Sequence, residues 1–250
     1  MTADPIHQFQ IHKIFTIGHI GGQEIAFTSS SAYMFLAVAV IALLMIGGSA
    51  GRQLVPGRIQ SVAELSYEFV ASMIRSTAGS EGMRFFPLVF SIFMFICVSN
   101  VIGIIPYAFT VSSQLIVTAA MALFVFFLVL FYGLYRNGLK FFKLFVPSGV
   151  PIFIMPIVVP IEVISFLLKP ISHSVRLFAN MLAGHIALKV FASFVVMLGA
   201  LGILGVFGAV LPLGLTIALT ALELLVAFLQ AYVFAILTCI YLNDAIRGGH

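Results

Sequence analysis

Between Glu162 and His185 the chain reads EVISFLLKPISHSVRLFANMLAGH, and this stretch holds the side chains best suited to chemistry. Glu162, Lys169, His173, Arg176, Asn180 and His185 stand in a run whose other residues are almost all apolar. In a bilayer a charge at such a place costs about 2.5–3.5 kcal/mol on insertion scales, so it marks an ion path, a partner's counter-charge or a bound ligand. Arg176 is the residue most in need of explanation. Its guanidinium does not deprotonate in proteins, so it cannot relay protons. It can hold a nearby carboxylate in the ionised form.

On a helix, residues seven apart differ by only about 20°. Glu162, Lys169 and Arg176 follow that spacing and share one face. Asn180 falls beside Arg176 one turn on, while Ser165, Ser172 and His173 fill the intervening turns. His185, nine residues past Arg176, is half a turn away and should look toward a neighbouring element instead. A second polar row, Thr216, Thr220, Glu223, Gln230 and Thr238, lies in the last apolar segment. An imidazole titrates near pH 6.5 and a desolvated carboxyl can be brought into that range, so His185 with Glu223 has the makings of a proton relay. Lys169, next to Pro170, also fits a helix-end lysine reaching for the interface. The serines and threonines equally fit interhelical hydrogen bonds of about 0.6 kcal/mol each.

The elements that position these rows are membrane helices. The 250 residues are 62% hydrophobic and 8% charged, against about 45–50% and 25% in soluble proteins, which excludes a soluble domain. The whole chain reads as a single membrane domain with an outer-side N-terminal segment, 1–30. Span 1 covers 31–51, an amphipathic surface helix 58–78, span 2 85–105 and span 3 113–135. In the surface helix Val62, Leu65, Phe69 and Met73 oppose Glu64, Glu68 and Arg75. The segments 151–198 and 203–242 are too long to cross upright. About 48 helical residues would measure roughly 72 Å against a hydrocarbon slab of about 30 Å. Either Pro160 and Pro170 break the first of them, or it lies about 65° from the membrane normal. The pair forms a strongly tilted helical hairpin, turning through the uncharged, glycine-rich stretch 199–208.

Basic residues set the orientation. Arg52, Arg58, Arg75 and Arg84 lie between spans 1 and 2, and Arg136, Lys140 and Lys143 follow span 3, so these loops face inside. The uncharged 106–112 connection, after Ile105-Pro106, faces outside. Five crossings then place the N-terminus outside and the C-terminus, with Asp244 and Arg247, inside. The excess of positive charge is therefore a topology signal and does not point to nucleic acid. Residues 1–30 are too polar for a cleavable signal peptide. Cys97 and Cys239 lie in apolar runs without metal-type spacing and read as packing residues. The scattered His7, His12, His19 and His250 form no metal-binding pattern. No phosphate-binding GxxxxGK[ST] loop occurs, nor any haem or iron–sulfur ligand spacing, so no cofactor or metal is expected.

Three stretches carry a resemblance: KPISHSVRLFANMLAGH, the ELLVAFLQAYVFAIL run from Glu223, and SNVIGIIPYAF at 99–109. Together they resemble subunit a of the rotary F-type ATP synthase, in its alphaproteobacterial or mitochondrial form, over most of the chain from span 1 onward. The resemblance implies a non-catalytic, proton-conducting stator subunit in a bacterial inner membrane, or alternatively a mitochondrial one. It implies a ring of c subunits, b-type peripheral-stalk subunits and membrane lipid as partners. Arg176 would face the ring; Asn180, His185, Glu223 and Gln230 would line the half-channel open to the outside. Asn100 would stand near its entrance and Glu162 toward the inner half-channel, with Lys169, Ser172 and His173 as weaker members of the site. Two departures stand out. The acid and histidine at 185 and 223 are exchanged relative to some bacterial members, and no acid follows Asn100 before Gly103. A secondary transporter with Arg176 binding an anionic substrate is the alternative, although it predicts internal repeats and paired broken helices that the chain lacks. An assembly or quinone-enzyme subunit, with the polar rows as mere contacts, is a second.

Overall fold

The structure is a computed structural model that describes residues 13–20, 23–50, 55–105, 108–146 and 153–247. His7, His12, Arg52, Pro106, Pro147, Pro151 and His250 lie outside the described residues. Six α-helices follow a short hairpin: β1 (Lys13–Ile20), β2 (Gln23–Thr28), α1 (Ser29–Ala50), α2 (Arg58–Gly82), α3 (Phe86–Ile104), α4 (Leu115–Asn137), α5 (Met155–Gly199) and α6 (Ile203–Arg247). Short 3-10 turns occupy Met83–Phe85, Val111–Ser113 and Gly138–Phe145. In lipid the backbone must satisfy its own polar groups, and uninterrupted apolar runs do so as helices. Five helical stretches among the described residues are long and apolar enough to cross a membrane, with α2 and α3 running together as one of them. The chain is an all-α polytopic membrane protein.

Both α5 and α6 are 45 residues long, about 68 Å each. Pro160 and Pro170 lie inside α5 and Pro212 inside α6, and neither helix is divided by them. Of the two options open for the 151–198 segment, the unbroken helix is the one observed. The connection between the helices is short, with Ala200 N–H and Leu201 N–H still bonded to carbonyls of the last turn of α5.

The chain forms two compact units, to both of which α1, α3, α5 and α6 contribute. The first comprises Met1–Ala42, Phe95–Gln114 and Leu177–Gln230. Its hairpin was not anticipated in the polar N-terminal segment. β1 and β2 pair antiparallel, with Lys13 opposite Thr28 and Ile20 opposite Gln23. Phe15 stacks on Phe27 at 5.0 Å and Phe27 on Phe35 of α1 at 5.9 Å, so aromatic pairs rather than a core hold this small sheet to the first helix. Between α3 and α4 the residues Ala108–Ser113 are all buried although they are not α-helical.

The second unit comprises Leu43–Met94, Leu115–Arg176 and Ala231–His250. Here α2 buries Val70, Ala71, Met73, Ile74 and Ala78, and Phe69 meets Phe93 at 5.6 Å and Tyr232 at 5.8 Å. Val62 and Leu65, read from sequence as part of the same apolar face, remain exposed. The buried residues of α2 lie in its C-terminal half, while its first turns meet α1 at glycine, where a Cβ on Gly48 would stand 2.7 Å from Ala63 Cβ. Because lipid is as apolar as leucine, helix association depends on close packing of small residues. α6 supplies Ala231, Ala235 and Cys239 at every fourth position, all buried. Phe126, Phe141 and Phe145 converge on Phe166 of α5 at 5.1, 6.3 and 5.4 Å between ring centroids.

Candidate functional site

The predicted residues divide between the two units, each of which holds one polar cluster, with Asn100, His185 and Glu223 in the first and Lys169 and His173 in the second. In the first, His185 of α5 and Glu223 of α6 are 7% and 5% exposed and face one another, Nδ1 to Oε1 at 2.8 Å. The contact is short but the carboxyl lies off the line of a ring N–H, and neither of its oxygens receives a well-aligned hydrogen bond from a described residue. Burying an ionised carboxyl without a paired charge is costly, so the imidazole holds the key position for any change in its charge. Gly184 makes this approach possible: a Cβ there would stand 3.0 Å from Glu223 Oε1. On its other edge, Nε2 of His185 is 2.8 Å from Thr110 Oγ1.

Asn100 is fully buried in the same unit and ties three elements together. Its Nδ2 donates to the Ala227 carbonyl of α6 at 3.2 Å, and its Oδ1 accepts from the Ser112 hydroxyl. Gln230 is buried two turns beyond Glu223 on α6, whereas Asn180 of α5 is exposed. The rest of the α6 row stands apart. Thr216 and Thr220 donate to carbonyls of their own helix, at Pro212 and Thr216, each at 2.8 Å.

In the second unit Arg176 is exposed, and no described residue supplies it with an ion pair or a side-chain hydrogen bond. Ile164, Leu167, Leu168, Ile171 and Val175 of α5 are exposed as well. A permanent cation thus sits among open apolar side chains. Glu162 is half-buried and Ser172 exposed. Lys169 reaches Asp244 of α6 at 3.5 Å and lies 4.8 Å from the Tyr241 ring centroid and 5.4 Å from that of Phe166. His173 is buried, with its ring edge-on to Phe234 at 3.8 Å, and neither nitrogen has a hydrogen-bond partner among the described residues. It shares a narrow cleft with Lys169, Tyr241 and Asp244. Thr238 donates to the Phe234 carbonyl at 2.8 Å and Ser174 meets Thr118 of α4 at 3.3 Å, so these hydroxyls are spent on packing. No group of three or more potential metal ligands occurs among the described residues.

The family model described as ATP synthase A chain matches residues 31–243. The chain is 83% identical to ATP synthase subunit a of Rhodopseudomonas palustris (strain BisB5) over 250 residues, covering 100% of both chains. It is 76% identical to ATP synthase subunit a of Nitrobacter winogradskyi over 247 residues, covering 99% of each. The chain belongs to the ATP synthase A chain family. As a member it is the proton-translocating stator of the membrane sector of an ATP synthase complex, and not a secondary transporter.

For an ATP synthase A chain, the residues that sequence reading did not assign to the site are as informative as those it did. Thr110, Ser112 and Gly184 complete the first cluster, and Tyr241 and Asp244 the second. Thr110 and Ser112 lie in an uncharged loop and carry no periodicity. Asp244 had a weak signal, an acid three residues beyond a tyrosine at the end of an apolar helix.

Proposed function

We propose that the two clusters are two half-paths for protons, separated by Arg176, and that the partner facing Arg176 is a ring of c subunits bearing membrane carboxylates. The observation that carries this reading is the unpaired, exposed guanidinium among exposed apolar side chains of α5. Such a cation needs a counter-charge that the described residues do not provide, and one that comes and goes suits a rotor. The basic residues Arg58, Arg75, Arg84 and Arg136 belong to the second unit, which supports inner-side access for the Glu162 and His173 region and a C-terminus inside. Outer access then runs past Asn100, His185 and Glu223, with Asn180 and Gln230 along it.

A proton from outside passes to Glu223 through His185 and neutralises a ring carboxylate. The uncharged carboxyl can move through lipid, which a carboxylate cannot. After nearly a full turn it loses the proton toward Glu162 and the inner water, and Arg176 meets the ionised group and blocks a direct leak. Each charge crossing yields about 2.3 kcal/mol per 100 mV, so several protons are needed for each ATP made in the soluble head. The chain itself does no catalysis in this scheme; b-type stalk subunits hold it in a bacterial inner membrane.

Arg176→Ala tests it. In vesicles carrying the assembled complex this variant should abolish coupled ATP synthesis while letting protons pass through the membrane sector. Wild-type coupling in Arg176→Ala would overturn the proposal. Arg176→Lys should also fail, since an ammonium lacks the planar fork that grips a carboxylate.

A further inference from the structure

We infer that Thr110 is a positioning residue that fixes the orientation of the His185 ring toward Glu223; the inference rests on reading the first cluster as the outer half-path. Irregular backbone is tolerated at membrane depth only when it is buried in protein or lines a cavity, and such a segment needs a reason. Ala108–Ser113 is buried throughout, with Thr110 at 0% exposure. Its three hydroxyls each have a partner. Ser112 donates to Asn100 Oδ1, Ser113 Oγ donates to the Thr110 carbonyl at 2.7 Å, and Thr110 Oγ1 lies 2.8 Å from His185 Nε2.

The backbone of α3 is shaped to receive this hydroxyl. Thr110 Oγ1 is 3.4 Å from the Gly103 carbonyl, and a Cβ at Gly103 would come within 2.8 Å of Thr110 Cγ2 and 2.9 Å of its Oγ1. Only glycine leaves room there. With the segment anchored through Asn100 to the Ala227 carbonyl of α6, the Thr110 hydroxyl is held at a fixed place relative to the helix that carries Glu223.

The consequence for His185 follows from the shape of an imidazole. A half-turn about its Cβ–Cγ bond exchanges Nδ1 with Cδ2 and Nε2 with Cε1. In the observed orientation Nδ1 meets Glu223 and Nε2 meets Thr110. In the flipped one carbon atoms would face both partners. Thr110 therefore makes the wrong orientation lose two polar contacts instead of one, and it holds the nitrogen that must exchange a proton against the carboxyl. A hydroxyl serves either protonation state, because it accepts from a protonated nitrogen and donates to a bare one. Among the described residues, Glu223 faces the ring from α6, Lys189 stands one turn further along α5, and Thr110 meets the ring with a hydroxyl.

The test uses inner-membrane vesicles with the assembled complex, stripped of the soluble head, and measures passive proton conduction as a function of pH. Thr110→Val keeps the shape and removes the hydroxyl. It should lower conduction about tenfold, the scale of one lost hydrogen bond, and displace the pH profile. Thr110→Ser should restore both rate and profile, and Thr110→Ala takes the place of the valine variant if that one does not assemble. An assembled valine or alanine variant with wild-type rate and profile overturns the assignment, as does an assembled serine variant that behaves like valine. If in the same vesicles His185→Ala and Glu223→Gln abolish conduction, such a result removes only the role of Thr110. If those two also conduct normally, the outer half-path itself is misplaced.

Discussion

Gly184→Ala separates stability from proton transfer. The added methyl would stand 3.0 Å from Glu223 Oε1, 3.4 Å from its carboxyl carbon and 3.6 Å from Cγ, against 3.4–4 Å in ordinary contact. The carboxyl must retreat by a few tenths of an ångström. Its contact with His185 Nδ1, now 2.8 Å, then approaches or passes the roughly 3.2 Å limit of a useful N···O hydrogen bond. The aligned, charge-assisted bond that the pair must form for a proton to cross is worth about 1.5–3 kcal/mol, so keeping the two groups apart should slow proton conduction about ten- to a hundredfold. Alanine is meanwhile the better helix former, by about 1 kcal/mol, so α5 should be no less stable and the complex should assemble. Assembly is read from membrane-bound ATPase activity, and transfer from passive conduction in stripped vesicles and from ATP synthesis. A Gly184→Ala complex that conducts protons at the wild-type rate would refute the claim that the His185–Glu223 contact lies on the path.

The remaining expectations concern charge. Exchanging the pair as His185→Glu with Glu223→His keeps one acid and one base, so ATP synthesis should recover in the double variant after falling at least about tenfold in each single one; equal loss in all three would count against a relay. Lys169→Gln should cost less than about 1 kcal/mol in thermal unfolding, because both ends of the Lys169–Asp244 pair are about a third exposed. In the hairpin, Lys13 hydrogen-bonds Glu24 and holds its carboxyl below the usual glutamate range. The folded-state value is the lower one, so the contribution is complete above the ordinary range and is lost as pH falls through the depressed value. Amide exchange in β1 and β2 should therefore lose protection in acid, and Glu24→Gln should flatten that dependence.

Much of this fold was legible because its determinants are local. Apolar runs longer than the bilayer is thick announce membrane helices, and the length of 151–198 left two readings, a break at its prolines or one unbroken, tilted helix, of which the unbroken helix is observed. Helical phase likewise placed His185 off the Arg176 face, and His185 indeed turns to α6. What phase could not supply was the partner on a third element. Thr110 and Ser112 sit on a short irregular segment whose burial depends on Asn100, Gly103 and α6 together, and no pattern in the chain announces such a meeting. The hairpin was missed for a related reason. Its residues are polar enough to pass for a loop, and the stacking of Phe15, Phe27 and Phe35 that secures it follows neither the helical nor the strand period. Thr216, Thr220 and Thr238 erred in the opposite direction: they share the spacing of Glu223 and Gln230, yet their hydroxyls return to their own backbone.

The most direct measurement is disulfide or short-linker crosslinking from the open face of α5 in the assembled complex. Ser172 and Ala179 stand one turn before and one turn after Arg176 on the same side of α5 and are both exposed, so each can carry a single cysteine once Cys97 and Cys239 are replaced by alanine. Ser172→Cys and Ala179→Cys should each link to a small membrane subunit at positions flanking its one membrane carboxylate, with yields that vary as the ring is turned by ATP hydrolysis. Linkage of both positions to a non-rotating subunit, or to none, would contradict a rotor carboxylate as the counter-charge of Arg176.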